Sequence, residues 1–205
     1  MQHKPSTAHP PVEMGSTRLE GFSDGVLAVI ITIMVLGIRP PGRPELRALS
    51  SVIPGLLIYV LSFTFIGIYW NNHHHLLRAT RRISGGVMWA NLHLLFWLSL
   101  TPVVTEWVGE QGRSTLPAVA YGAIGFLAGV AYFVLTLTIR AANKDTHINE
   151  LLGRDVKGKV SVALYAVGIA FAFIEPLLAY GVYALVAIMW FIPDRRLANA
   201  RDGQE

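Results

Sequence analysis

Residues Phe22 to Ile38 read FSDGVLAVIITIMVLGI, and after Asp24 the hydroxyl of Thr32 is the one polar side chain in this stretch. A helix needs roughly 17 to 25 residues to cross the hydrocarbon core of a bilayer, which is about 30 Å thick. The length and the continuity of the apolar run therefore predict a helix that spans a membrane.

Apolar runs of similar length recur through the chain. Hydrophobic residues make up 53% of its 205 residues, more than one soluble domain of this size could enclose in a single core. The pattern predicts an all-α, polytopic membrane protein with six transmembrane helices. The predicted spans are Phe22 to Ile38, Val52 to Trp70, Ile83 to Trp107, Leu116 to Ile139, Val160 to Ile174 and Leu177 to Ile192. The fifth is the shortest, and a re-entrant hairpin formed by the last two is the alternative there.

The distribution of Lys and Arg predicts the orientation of these spans. If the N-terminus is cytoplasmic, 13 of the 17 basic residues fall on the cytoplasmic side, and the positive-inside rule then places both termini there. We expect residues 1–17 to be a disordered cytoplasmic tail, 18–193 the six-helix membrane domain, and 194–205 a cytoplasmic C-terminal tail. A net charge of +4 carried by loops reports topology, so no nucleic-acid partner is expected. The expected location is the cell membrane.

The first span opens with ionisable and polar side chains. An acidic group inside a span usually faces protein or water, so Asp24 is a candidate functional residue. The alternative is structural, because Ser23 and Asp24 at a helix start can cap free N–H groups or brace the helix against its neighbours. Arg18 lies close enough along the chain to pair with Asp24 or with another helix.

Deeper in the same helix, Val29, Thr32 and Leu36 share one stripe, since they are spaced i, i+3 and i+7. Around a symmetry axis these positions would form rings of valines, hydroxyls and leucines. Apolar rings can gate a pore by excluding water, and hydroxyl oxygens suit a partly dehydrated cation. The alternative is ordinary packing, with the Thr32 hydroxyl bonded to a carbonyl of its own helix.

Three consecutive histidines, His73 to His75, suggest a metal site at first sight. In a helix, however, successive side chains point about 100 degrees apart and cannot chelate one ion together, so no metal site is expected there. No span pairs a nucleophile with a base, which argues against an enzyme. A secondary transporter is the alternative to a channel, although the spans show no internal repeat and almost no buried acidic residues besides Asp24.

Several motifs resemble a known family, the lysosomal potassium channels and their single-repeat bacterial homologues. The first is Arg-x-x-x-Phe-Ser-Asp, here Arg18 to Asp24, which continues through Gly25-Val26-Leu27-Ala28 and Thr32. The second is Tyr69-Trp70-Asn71-Asn72-His73-His74, and the third comprises Asn91-Leu92, Leu95-Phe96 and Leu98 to Pro102. The resemblance covers about residues 18 to 105.

The resemblance implies a potassium-selective channel that works passively in the lipid bilayer and needs no cofactor. The first helices of a homotetramer would line its pore, with Val29 at the hydrophobic constriction and Thr32 and Leu36 continuing the lining. K⁺ ions would make transient contacts near Thr32. Protons are expected as a further permeant ion. A second set of residues would brace helices one to three through the motif and its polar side chains: Arg18, Phe22, Ser23, Asp24, Trp70, His73, His74 and Asn91.

Two positions depart from the family pattern. Relatives usually carry Ile or Leu at the constriction, so Val29 would leave a slightly wider neck. Gly37 stands where many relatives carry an acidic residue, so no charged ring is expected at the end of the first helix.

Overall fold

The computed structural model describes residues 16–42, 45–144 and 156–191. Over these ranges the chain is helical and contains no strand, so the all-α prediction is confirmed there. The α-helices are α1 (Ser16–Leu36), α2 (Ile53–Arg78), α3 (Gly85–Ser99), α4 (Thr101–Gln111), α5 (Thr115–Ala142), α6 (Val156–Ala172) and α7 (Pro176–Phe191). A 3-10 helix, Leu46–Ser51, precedes α2.

Four helical segments are long and apolar enough to cross a bilayer, and they coincide with the first four predicted spans. They are Thr17–Leu36, Ile53–Arg78, Gly85–Gln111 and Thr115–Ala142. The last two helices are shorter, with 17 residues in α6 and 16 in α7. The count of six spans therefore remains a prediction. The two predicted tails lie outside the described residues, except that Ser16 and Thr17 already belong to α1.

The third predicted span is interrupted within the membrane segment. The predicted span from Ile83 to Trp107 corresponds to one membrane-capable segment, Gly85–Gln111, and a turn at Leu100 divides that segment into α3 and α4. Pro102, in the first turn of α4, has no N–H to donate, and its ring disfavours a regular helix across the preceding turn. The N–H of Leu100 instead bonds the Trp97 carbonyl at 3.2 Å, a tightened turn at the break.

Helix α5 packs against α3, α4, α6 and α7 and lies at the centre of the C-terminal part of the bundle. Glycines make this packing close: a Cβ atom on Gly122 would collide with the phenol of Tyr183, and one on Gly125 with the ring of Tyr165. The two tyrosine rings stack with centroids 5.5 Å apart. Small residues that let helices approach closely are typical of membrane helix interfaces, where van der Waals packing drives association.

Candidate functional site

Helix α1 presents one buried half and one exposed half. Its neighbours are α2, α3 and α4. Toward them it turns a stripe of completely or almost completely buried side chains, spaced i, i+4, i+7 and i+11: Ser23, Leu27, Ile30 and Met34. This stripe fixes which side of α1 faces the rest of the chain.

The other half of α1 is largely exposed in the part of the chain that the structure describes. Phe22, Val29 and Leu36 are 53%, 54% and 79% exposed. Thr32 lies on the same side and is also exposed. Its hydroxyl donates to the Val29 carbonyl at 2.9 Å, the intrahelical bond that the sequence offered as an alternative to pore lining. All three residues predicted to line a pore thus share an exposed apolar face.

A chain of hydrogen bonds joins α2, α3 and α1 at the buried side of this helix. His73 Nε2 donates to Asn91 Oδ1 at 2.6 Å, and Asn91 Nδ2 donates to Ser23 Oγ at 2.9 Å. Ser23 Oγ then donates to the Leu19 carbonyl at 2.8 Å. Each hydrogen bond in this series is donated in the direction of α1. The side chains of His73, Asn91 and Ser23 are only 0% to 1% exposed. Three of the residues singled out in the sequence are therefore connected, with Asn91 bonded to both of the others.

The remaining motif residues form a separate group at the N-terminal part of α1. His74 Nδ1 lies 2.6 Å from Glu20 Oε1, and donor atoms of Glu20, Asp24 and His74 lie within 4.8 Å of one another. The Trp70 ring lies beside His74, with centroids 6.1 Å apart. His74 thus pairs with Glu20 and Asp24 lies near both, whereas His73 bonds Asn91. Arg18 and Phe22 are both exposed.

One polar residue that the sequence interpretation did not single out, Asn143, secures the segment between α2 and α3. Its buried side chain accepts hydrogen bonds from the backbone N–H groups of Arg81 and Arg82, at 3.2 and 2.8 Å. It also donates to the Arg82 and Ile139 carbonyls, at 3.1 and 3.0 Å. The available signal was weak: an asparagine directly after a long apolar helix is compatible with an ordinary helix end.

At the other end of α1, Gly37 lies close to α4. A Cβ atom there would come within 3.3 Å of the Glu106 Cβ, tighter than an ordinary side-chain contact. Arg39 follows in the chain and contacts the carboxylates of Glu110 at 2.9 Å and Glu106 at 3.4 Å. The departure from the family pattern at Gly37 therefore coincides with close helix packing, and the nearby charges come from α4.

Comparison with known proteins connects this arrangement to one family. Residues 18–102, which include α2, α3 and all but the first two residues of α1, match the family described as endosomal/lysosomal potassium channel TMEM175. A potassium channel of Chryseobacterium sp. (strain P1-3) is 44% identical over 188 residues, covering 91% of this chain and 98% of the relative.

Two further similarities extend the comparison. The crystal structure of a lysosomal potassium-selective channel TMEM175 homolog from Chamaesiphon minutus superimposes with a TM-score of 0.74 at 27% identity, covering 86% of this chain and 96% of that one. The endosomal/lysosomal proton channel TMEM175 of Gallus gallus is 29% identical over 150 residues, 65% of this chain, and the match spans 30% of that longer protein. With a bacterial relative matched over nearly its whole length, the chain belongs to the TMEM175 family.

Proposed function

We propose that this chain is the subunit of a homotetrameric, potassium-selective channel of the cell membrane, with six transmembrane helices and both termini in the cytoplasm. The observation that carries the proposal is the divided surface of α1. One half is buried against its own subunit, and the other exposes Val29, Thr32 and Leu36 together. Four copies of that exposed face around an axis form a pore without any further helix.

Val29 is the constriction in this arrangement. A ring of four apolar side chains excludes water when it is narrow, because a small hydrophobic neck offers no hydrogen bonds to the water it would contain. Leu36, the most exposed of the three, adds a second apolar ring about two helical turns further along α1. The pore is therefore closed by dewetting, with no charged side chain on the stripe.

Thr32 supplies the one polar ring. Because its hydroxyl proton is donated to the Val29 carbonyl at 2.9 Å, the oxygen keeps lone pairs that can face a passing cation. Hydroxyl oxygens in such a ring replace part of the hydration shell of K⁺. The role of Thr32 is a transient contact that does not hold the ion.

The polar motif residues hold α1 in this rotation. Turning α1 by one residue, about 100 degrees, would remove Ser23 from Asn91 and would also carry Val29 away from the axis. The buried chain of His73, Asn91 and Ser23 opposes that rotation from α2 and α3. The bracing therefore acts on the pore through the orientation of one helix.

The relatives support potassium as the permeant ion. The chain matches 98% of the length of the Chryseobacterium potassium channel at 44% identity. Its sequence lacks the Thr-Val-Gly-Tyr-Gly filter of ordinary potassium channels, so selection falls to the side chains of α1.

Reconstituted protein tests the proposal. Liposomes with a K⁺ gradient should show K⁺ flux and, in planar bilayers, unitary currents, which a carrier that binds and releases one ion per cycle does not produce. Val29→Asn places an amide in the neck and should raise the conductance by keeping the constriction wet. Val60→Asn is the matched control, because Val60 lies on α2 and is 52% exposed. If Val29→Asn and Thr32→Ala both leave conductance and selectivity unchanged, α1 does not line the pore.

Proton permeation is a second candidate activity, favoured by the Gallus gallus relative, which is named a proton channel. A pH-sensitive dye inside the same liposomes measures it. Proton entry that rises with Val29→Asn along with the K⁺ current would assign both ions to one pathway. Proton entry that is independent of Val29 would place protons elsewhere.

A further inference from the structure

We propose that Glu20, Asp24 and His74 form a binding site for a divalent transition-metal ion, with Zn²⁺ as the occupant that fits the donors best. The site joins α1 to α2 at the N-terminal part of α1, and it does not depend on the channel function proposed above.

The spacing of the two carboxylates is the first reason. Glu20 and Asp24 are four residues apart on α1, so both side chains lie on the same face of the helix, one turn apart. His74 approaches that face from α2, and the three candidate ligand atoms lie within 4.8 Å of one another. Ligands of a tetrahedral zinc ion are roughly 3.3 to 3.5 Å apart, as follows from metal–ligand bonds of about 2.0 to 2.2 Å. Small side-chain rotations would reach this spacing by opening the 2.6 Å contact between His74 Nδ1 and Glu20 Oε1 and closing the longer separations.

Unused hydrogen-bonding capacity at the same place is the second, independent reason. Asp24 Oδ1 is buried and has no hydrogen-bond partner. His74 Nδ1 is likewise buried, and although it lies 2.6 Å from Glu20 Oε1, this contact does not have the direction of a hydrogen bond. Buried polar atoms without partners are rare and costly, and a shared ion would satisfy both at once.

The chemistry of the donors selects the ion. One imidazole nitrogen and two carboxylate oxygens are suited to Zn²⁺, whereas Mg²⁺ and Ca²⁺ prefer oxygen ligands alone. Two carboxylates balance the charge of a divalent cation. The side chains of His74 and Glu20 remain 28% and 17% exposed, so an ion can enter and a water molecule can take the fourth position.

Only one of the three consecutive histidines takes part. His73 Nε2 is bonded to Asn91 Oδ1, and His75 is not among the three residues whose ligand atoms lie within 4.8 Å of one another. The proposed site therefore uses one histidine with two carboxylates, and it does not require consecutive histidines to chelate one ion.

The test is metal binding by the full chain in detergent, after removal of metal with a chelator. His3, His9 and His147, which lie outside the described residues, are first replaced with Gln so that they cannot bind the probe. Calorimetry with Zn²⁺ should give one ion per chain, and Co²⁺ should give the visible absorption of a low-symmetry N/O site. Zn²⁺ added afterwards should abolish that absorption.

Substitutions assign the ligands. Glu20→Gln, Asp24→Asn and His74→Gln should each weaken Zn²⁺ binding by at least about 100-fold, the upper end of the roughly 10- to 100-fold loss typical of an outer-shell partner. His93→Gln on α3 and Glu106→Gln on α4 are the matched controls and should leave affinity unchanged. Size-exclusion profiles without metal identify any variant that misfolds. Should His74→Gln misfold, Glu20→Gln and Asp24→Asn decide between the outcomes.

Two results overturn the proposal. The first is an absence of stoichiometric Zn²⁺ binding at millimolar ion, which would make the short His74–Glu20 contact a simple ion pair. The second is binding that survives Glu20→Gln and Asp24→Asn, which would place the ion elsewhere.

Discussion

Replacing Asn91 with Leu should destabilise the protein more than its size change explains. Asn91 is fully buried in α3 and connects two helices, since it accepts from His73 Nε2 at 2.6 Å and donates to Ser23 Oγ at 2.9 Å. Leucine has the same four side-chain heavy atoms branched at Cγ, so the substitution removes both hydrogen bonds without leaving a cavity.

The expected loss of unfolding free energy follows from the buried polar atoms that the substitution leaves without a hydrogen-bond partner. His73 is 1% exposed and loses its Nε2 partner, and its Nδ1 already has none. A buried polar group left without a partner costs about 1–3 kcal/mol. Ser23 keeps its bond to the Leu19 carbonyl and loses one interhelical bond, worth about 0.6 kcal/mol in membrane proteins. The free energy of unfolding should therefore fall by roughly 2–4 kcal/mol.

The assay is unfolding of the purified protein in mixed micelles, followed by tryptophan fluorescence at fixed protein concentration. Asn72→Leu is the matched control, because Asn72 lies next to His73 on α2 but its side chain bonds the Ile68 carbonyl within its own helix. A double variant, His73→Leu with Asn91→Leu, removes both members of the pair and should lose at least about 1 kcal/mol less than the sum of the single changes. Equal losses for Asn91→Leu and Asn72→Leu would refute the reasoning.

Three further predictions concern other parts of the chain. Gly122→Val should lower the free energy of unfolding by about 1–3 kcal/mol, because the added Cβ would collide with the Tyr183 phenol. Gly67→Val is the control, since a Cβ there meets open space, and thermal unfolding compares the two variants. Asn143→Ala should accelerate amide hydrogen exchange between α2 and α3, by about 1–3 kcal/mol of lost protection, without changing exchange in α7. Val29→Ile narrows the proposed neck and should lower K⁺ current in bilayers; an unchanged current would contradict the constriction at this position.

The helical fold was predictable because long apolar runs have few alternatives in lipid. The run from Phe22 to Ile38 needed no partner to be recognised, and α1 contains nearly all of it. The break at Leu100 was missed although Pro102 signals it, because the apolar run continues through the proline. Hydropathy reports which solvent a segment tolerates, and it does not report whether its backbone hydrogen bonds are continuous.

The site was predictable only in part. The motif resemblance indicated that Ser23, His73 and Asn91 belong to one bracing group, and the structure connects them, with Asn91 bonded to both of the others. The resemblance placed His74 in the same group, whereas in the structure the His74 side chain lies against Glu20. His73 and His74 have different partners because side chains of adjacent helical residues point about 100 degrees apart. Which partner each one meets depends on how the helices pack, and the sequence does not give that packing.

The two halves of α1 should respond to mutation in different ways, because their side chains meet different surroundings. A change on the buried stripe, such as Leu27→Ala, removes contacts with α2 to α4 and should cost about 2–5 kcal/mol of stability. Val29 is 54% exposed, so a change there removes fewer contacts within the chain, and its main effect should come through whatever faces that side, which in the proposed tetramer is the pore. Because α1 carries both stripes, the buried contacts that set its rotation would also set which side chains line the proposed pore.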